Sequence, residues 1–462
     1  MRGPIYLTED IRRIEQAAGD APLMERAGAA AADIAARMAP DTAKDVLVLA
    51  GPGNNGGDAR IVAQRLKERF FRVSVAARRD EIPDKPWGLV VDGLFGIGLA
   101  REVQGEYGAL IEYVNRQRCP VLALDIPSGL HSDTGRVWGH AVRATRTITF
   151  IGLKPGLLTL EGPDHCGEID VATLGLDLPA ASAWIAERAM FANVLKPRPR
   201  NFHKGMAGSV AIIGGAAGMA GAALLAGRAA LKLGAGRVYV GLLDEGAALD
   251  AHALELMLRH PDDALGQDLD AIVVGPGLGQ GERAETLLGA ALASDLPCVL
   301  DADALNLISE NEDLRHACAR RGADTLLTPH PAEAGRLLAL RTADVQADRV
   351  KAAKILAGNL NAHVLLKGNG SILVARDGHW FINTSGNPGM ASAGMGDVLA
   401  GMLGALLAQR YSGETSLVLG THLHGAAADA LVKAGTGPVG LTASELIDAA
   451  RREWNRWLHH PA

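Results

Sequence analysis

Aromatic residues are scarce in this chain, only 4% of 462, so its core has to be built from Ala, Val, Leu and Ile. Cysteine is scarcer still. Cys119, Cys166, Cys298 and Cys318 stand far apart with no CxxC pair, which argues against a zinc site or a redox pair and points to reduced thiols in a cytoplasmic protein. No long run of one charge occurs and the net charge is −6, so neither nucleic acid nor a membrane surface is an expected partner. The opening MRGPIYLTEDIRRIEQ has no apolar stretch of the kind a secretory signal needs. No GK dipeptide is present, which excludes a Walker phosphate loop. One uncharged stretch, 206–227, is long enough to cross a bilayer. Its six glycines favour instead a buried strand (209–213), a glycine loop and a buried helix (219–233).

Glycine, by contrast, is abundant: 56 residues, against an average near ~7% of a chain. Some part of the fold needs many close-approach or left-handed backbone positions. The length allows two or three domains. Short apolar runs at 45–50, 71–76, 88–91, 120–124 and 145–151 alternate with helical patterns at 59–70 and 107–118, after a helical lead over about 11–38. Runs apolar on both faces predict a parallel sheet covered by helices. The alternation restarts with strands near 271–274, 297–300, 325–327, 362–366 and 371–375. Helices are expected at 282–293, 332–340, 345–360, 397–409 and 416–434. Both parts read as three-layer α/β. LKPRPRNFHKG, with Pro197, Pro199 and three basic residues within 196–200, breaks helix and sheet and places a linker near 192–203. The expected domains are 1–195 and 200–462.

Polar residues gather where strands end. AGPGNNGGDAR follows the first strand and opens a helix, where backbone N–H groups and the helix dipole can hold an anion. VVDGLFGIGL places Asp92, and ALDIPSGLHSDTG places Asp125 and Ser128, at the ends of two further strands. In an open parallel sheet these ends form the ligand crevice. Asn55, Asp92 and Ser128 offer only oxygen, which suits an alkali or alkaline-earth cation rather than zinc. In the second part, GNPGMASAGMGDVLAG runs a glycine loop into an apolar helix. Its amides can carry phosphoryl charge, and Asp397 can accept a proton from an attacking hydroxyl. KGNGS turns between two strands, GPGLG and LDADALN again follow buried strands, and TPHPAE sets His330 just before a helix.

GPGNNGGD, DGLFGIGL and ALDIPSGLHSDTG resemble the YjeF N-terminal family of NAD(P)H-hydrate epimerases over roughly residues 1–190. The resemblance implies a Rossmann-like fold. It implies substrate contact through Asn54, Asn55, Gly56, Gly57, Asp58, Gly96, Ile97, Gly98, Leu99, Ala100, Arg101, Glu102 and Asp125, and potassium held by Asn55, Asp92 and Ser128. Ala59 stands where that family has glycine. HKGMAGSVAIIGGAAGMAGAALLAG, GPGLG, LDADALN, TPHPAE, KGNGS and NTSGNPGMASAGMGDVLAG, in this order, resemble the ribokinase-like ADP-dependent NAD(P)H-hydrate dehydratases over about 200–460. That likeness implies Ala222, Gly277, His330 and Asp397 at the hydrate. It implies Lys367, Gly368, Asn369, Gly370, Ser371 and Gly396 at the nucleotide, with Mg2+ accompanying ADP.

Both families in one chain resemble the bifunctional NAD(P)H-hydrate repair enzymes. The implied chemistry is interconversion of the two C6 epimers of hydrated NADH and NADPH (NADHX and NADPHX), with Asp125 as acid/base. ADP-driven dehydration, with Asp397 as base, then yields AMP and phosphate. A homo-oligomer is expected. The alternative is a small-molecule kinase of the hydroxyethylthiazole type fused to a nucleotide-binding domain.

Overall fold

The computed structural model describes residues 3–244 and 249–459. The chain forms two compact units, Met1–Ile185 and Ala186–Ala462. The first is built on β1 (Val46–Ala50), β2 (Val73–Ala76), β3 (Leu89–Gly93), β4 (Val121–Leu124), β5 (Arg146–Phe150) and β6 (Glu168–Ala172), followed by a short β7 (Ala183–Ile185). The first six lie in the order β2-β1-β3-β4-β5-β6, every pair parallel. This is a doubly wound, Rossmann-like sheet whose order reverses between β1 and β3. β1 is apolar throughout because both faces are covered. Val46, Val48 and Ala50 pack with Val62 and Leu66 of helix Asn54–Glu68, while Leu47 and Leu49 pack with Leu110 and Ile111 of helix Gly105–Asn115. Parallel register sets Leu49 beside Asp92 and Asp92 beside Ala123, so the strand ends lie level.

The expected helical lead is two helices, Thr8–Ala17 and Leu23–Met38. Gly19, at φ +56°, and Pro22 break it. β6 escaped the sequence reading because Glu168 and Asp170 interrupt its apolar pattern.

The second unit contains β8 (Ser209–Gly214), β9 (Arg237–Leu242), β10 (Met257–Arg259), β11 (Ala271–Val274), β12 (Cys298–Leu300), β13 (Thr325–Leu327), β14 (His363–Leu366), β15 (Ser371–Val374) and β16 (Trp380–Asn383). They run β10-β9-β8-β11-β12-β13-β14-β15-β16. The pairs from β10 through β14 are parallel, and β15 and β16 add antiparallel hairpins. Helix Met395–Ala408, apolar on every side, is buried against the sheet and helix Ala220–Lys232. The approach is so close that a Cβ at Gly401 would stand 2.0 Å from the Ala226 carbonyl oxygen. Uncharged residues 206–227 thus become β8, a loop and the start of a helix, and no described helix is long and apolar enough to cross a membrane.

A single helix over 345–360 was expected, but two form, Thr342–Ala347 and Arg349–Leu360. Asp348 separates them, leaving helical geometry to accept a hydrogen bond from the Lys351 amide. The basic stretch around Pro197 is tied to its own unit: Arg198 donates to the Gly234 carbonyl and to Gln409, both at 2.7 Å. The four cysteines are free.

Candidate active sites

In the first unit Asn54, Asn55, Gly56, Gly57 and Asp58 form the opening of helix Asn54–Glu68 itself, not a loop ahead of it. The glycines serve close packing: a Cβ at Gly56 would stand 1.9 Å from the Gly51 carbonyl oxygen, and one at Gly57 2.6 Å from the Met24 sulfur. Ala59 is buried inside this helix, so its extra methyl relative to glycine is accommodated. A cleft of about 710 Å³ is lined by Asn54, Asn55, Asp58, Gly96, Ile97, Gly98, Leu99 and Asp125, with Glu15 and Lys154. Gly56, Gly57, Ala100, Arg101 and Glu102 lie outside that lining.

Asp125 follows β4 in the left-handed region, φ +64°. That turn brings its Oδ1 within 3.2 Å of the Phe150 amide and 2.5 Å of the Lys154 ammonium. Lys154 is wholly buried and also donates to Thr149 Oγ1 at 2.8 Å and to the Phe150 carbonyl at 2.7 Å. Sequence reading missed Lys154. The only signal was a basic residue shortly after a buried strand, as in IGLKPG. Asp58 has the opposite surroundings. Burial, reinforced by the charges of Asp125 and Glu15, pushes its pKa up to about 8. The cleft therefore holds a carboxylate committed to a lysine beside a carboxyl that stays protonated at neutral pH.

Asp92 is fully buried. Ser128 donates to it twice, from N at 2.8 Å and from Oγ at 2.6 Å, and the Phe95 amide donates to Ser128 Oγ at 2.8 Å. Burial raises the Asp92 pKa to about 6 against the pull of these hydrogen bonds. The Asn55 side chain is buried with both Oδ1 and Nδ2 lacking a hydrogen-bond partner. An unsatisfied buried amide oxygen is costly. Together with an anionic Asp92 and the Ser128 hydroxyl, it is a donor set that fits a large monovalent cation.

The second site stands at the carboxyl ends of β8, β11, β12, β13 and β14. Ala222 and Gly277 are adjacent: a Cβ on Gly277 would be 3.3 Å from that of Ala222. The Asp303 carboxylate accepts from the Gly279 amide at 2.9 Å and holds the GPGLG turn. His330 caps its helix: Nδ1 accepts from the Ala332 and Glu333 amides, while Glu333 accepts from the His330 amide at 2.8 Å. The Lys367–Ser371 turn is fastened from beneath by Arg349, nearly fully buried, which donates to the carbonyls of Leu366, Lys367 and Asn369. Asp397 lies in the first turn of helix Met395–Ala408, after Gly394 at φ +88°. Burial and the charge of Asp301 raise its pKa to about 6, and Lys367 opposes that rise. Asp301, which sequence reading passed over as one residue of LDADALN, is buried at the end of β12 and pairs with Lys367.

Two strand-end sites, each with buried carboxyl groups beside a glycine loop and a helix start, define a two-unit α/β enzyme. Residues 210–452 match the NAD(P)H-hydrate dehydratase family, and residues 20–86 and 77–156 match the family described as YjeF-related protein N-terminus. The bifunctional NAD(P)H-hydrate repair enzyme of Escherichia coli is 38% identical, over 97% of this chain and 93% of its own. That of Coxiella burnetii is 36% identical, over 97% and 98%. The second unit resembles the ADP/ATP-dependent NAD(P)H-hydrate dehydratase of Bacillus subtilis, co-crystallised with ATP/Mg2+. That match has a TM-score of 0.52 and 29% identity, over 59% of this chain and 98% of that one. The chain belongs to the family of bifunctional NAD(P)H-hydrate repair enzymes.

Breaking a buried ion pair on one side costs about 3–5 kcal/mol, because the other charge is stranded. Lys154→Met is therefore expected to lower the unfolding free energy of the first unit by that order, read from denaturant titration. Adding Asp125→Asn should recover part of the loss, and a double variant no more stable than the single one would contradict the pairing.

Proposed function

We propose that this chain repairs hydrated NADH and NADPH. The first unit interconverts the C6 epimers, and the second removes the hydroxyl at the expense of ADP. The observation that carries this reading is the match to bifunctional relatives over 97% of the chain, with buried carboxyl groups at the strand ends of each unit in support. A small-molecule kinase would leave the first unit without a role. The domains are taken as 1–195 and 200–462.

In the epimerase cleft Asp58 gives a proton to the C6 hydroxyl, the C–O bond breaks and water leaves. The ring nitrogen's lone pair forms an iminium, and Asp125, paired with Lys154, supplies negative charge beside it. Water adds to the other face and its proton returns to the carboxyl pair. The acid/base role expected of Asp125 alone is here divided: Asp58 is the proton donor, and Asp125 is the charged partner beside it. Asn55, Asp92 and Ser128 would hold potassium, which would offset carboxylate charge near the substrate.

In the second unit Asp397 takes the proton of the C6 hydroxyl, whose oxygen attacks the β-phosphorus of ADP. The bond to AMP breaks, and the amides of the Gly394–Gly396 segment face the transferring charge. Loss of phosphate from C6 and of a proton from C5 restores the double bond. Mg2+ would arrive with ADP. Ala222, Gly277 and His330 are assigned to the hydrate and the Lys367–Ser371 turn to the nucleotide. The substrates are NADHX, NADPHX and ADP, in a cytoplasmic homo-oligomer.

The direct test is incubation of the chain with hydrated NADH, with and without ADP, following the absorbance of reduced nicotinamide. Recovery should require ADP, and the isolated 1–195 and 200–462 segments should divide epimerisation and dehydration between them. No recovery with ADP would refute the reading.

Asp397→Asn should slow dehydration by about 10²–10⁴-fold. In the parent chain the base must be ionised, so dehydration should be lost as pH falls through about 6. A rate flat across that range would remove Asp397 from the role.

The sign is reversed in the first unit. A proton donor must be protonated, so epimerisation, followed by NMR of the two epimers, should be lost as pH rises through about 8. Asp58→Asn should abolish that limb together with most of the rate.

A further inference from the structure

Lys367 belongs by sequence to a turn assigned to nucleotide contact, yet its ammonium is somewhere else. The side chain leaves the end of β14 and crosses to the end of β12, where Nζ lies 2.9 Å from Asp301 Oδ1. The same oxygen accepts from Thr328 Oγ1 at 2.8 Å, so the carboxylate is fastened from the end of β13 as well. The lysine backbone is pinned by its own amide, which donates to the Pro329 carbonyl at 2.9 Å. The couple faces the catalytic loop: a Cβ on Gly396 would stand 3.4 Å from Lys367 Nζ and 3.5 Å from Asp301 Oδ2. Asp397 is the next residue.

A cation at a helix N-terminus opposes the helix dipole and is misplaced there unless an anion comes to meet it. Asp301 offsets the ammonium, and 23% of the lysine side chain remains accessible. Burial works against the charge, but Asp301, Glu333 and Asp397 together hold the Lys367 pKa above the ordinary lysine value. The other groups around it bring little competing charge. Asp303 is tied to the GPGLG turn. The pKa of His330 is lowered by burial and by Lys367, and that of His424 is lowered to about 4 by burial, so both rings are neutral at pH 7.

We propose that Lys367 is a catalytic residue of phosphoryl transfer, its ammonium set by Asp301 against the Gly394–Asp397 loop to bind the transferring group, and that Asp301 is its positioning residue. The inference rests on the reading that the second unit transfers a phosphoryl group from ADP. In that step the C6 oxygen bonds to the β-phosphorus, the bridging bond breaks toward AMP and the hydroxyl proton passes to Asp397. Lys367 donates a hydrogen bond to a phosphoryl oxygen throughout and gives up no proton. Holding a charge where charge develops raises kcat, whereas a contact made equally to bound ADP and to the transition state would change KM alone.

The experiment measures kcat and KM for ADP from about pH 5 to 9 in the full chain and in Lys367→Met, Lys367→Arg and Asp301→Asn. Lys367→Met should lower kcat by about 10²–10³-fold with a smaller change in KM, and Lys367→Arg should restore part of it. The acid limb set by Asp397 should move in opposite directions. It should shift to higher pH in Lys367→Met, where a neighbouring cation is lost, and to lower pH in Asp301→Asn, where a neighbouring anion is lost. The limbs report the charges beside Asp397, while the fall in kcat and its partial return in Lys367→Arg separate a catalytic ammonium from a merely structural one. Lys367→Met with unchanged kcat and raised KM would overturn the proposal and return the lysine to nucleotide binding. Limbs that stay in place would overturn the role of Asp301. If Asp301→Asn does not fold, the Met and Arg variants still decide the role of Lys367. A parent chain with no ADP-dependent recovery defeats the functional reading itself, whereas an active parent with an unaffected Lys367→Met defeats this inference alone.

Discussion

A carboxylate buried at the end of a parallel strand must find donors, because water cannot reach it. Asp92, the penultimate residue of β3, and Asp125 and Asp301, just after β4 and β12, are all buried in such positions. Each draws its surroundings together. Asp92 gathers Ser128 from the loop after the neighbouring strand, Asp125 gathers Lys154 from beyond β5, and Asp301 gathers Lys367 from the end of β14 together with Thr328. These bonds tie neighbouring strand ends together, and the one from Lys367 to Asp301 reaches past β13, so they fix the crevice as well as satisfying the charge.

The two units arrive at the same electrostatic arrangement. In each, one carboxylate is neutralised by a buried or half-buried lysine, and a second carboxyl nearby is left without a cation of its own. The second group then has its pKa lifted, Asp58 to about 8 and Asp397 to about 6. The difference matches the chemistry proposed for each. A group protonated at neutral pH can donate to a departing hydroxyl, and one ionised at neutral pH but basic enough to accept can deprotonate an attacking one.

Many of the landmarks could be seen in the residues alone. Apolar runs bounded by glycine and aspartate marked the strands, and the glycine loops marked helix starts, because these patterns reflect local geometry and coverage of both sheet faces. Where the reading slipped, the cause was also physical. One expected helix was split by Asp348, whose side chain preferred a cap to another helical turn, and another broke at Gly19 and Pro22. β6 was passed over because Glu168 and Asp170 interrupt its apolar pattern, and β10 because three residues ending in Arg259 do not stand out from a loop.

The amino-acid sequence by itself determined the two α/β units and the glycine loops at their strand ends, and it marked Asp125 and Asp397 beside those loops. Only the tertiary structure decided the partners. Lys154 lies 29 residues from Asp125, and Lys367 lies 66 from Asp301. Nothing in either spacing announces a pair: the first is set by a long loop crossing from β4 to β5, and the second by the helices crossing between β12, β13 and β14. The same crossing decided which carboxyls were left unpaired. A pKa depends on burial and on charges brought near in space, and neither can be read along the chain.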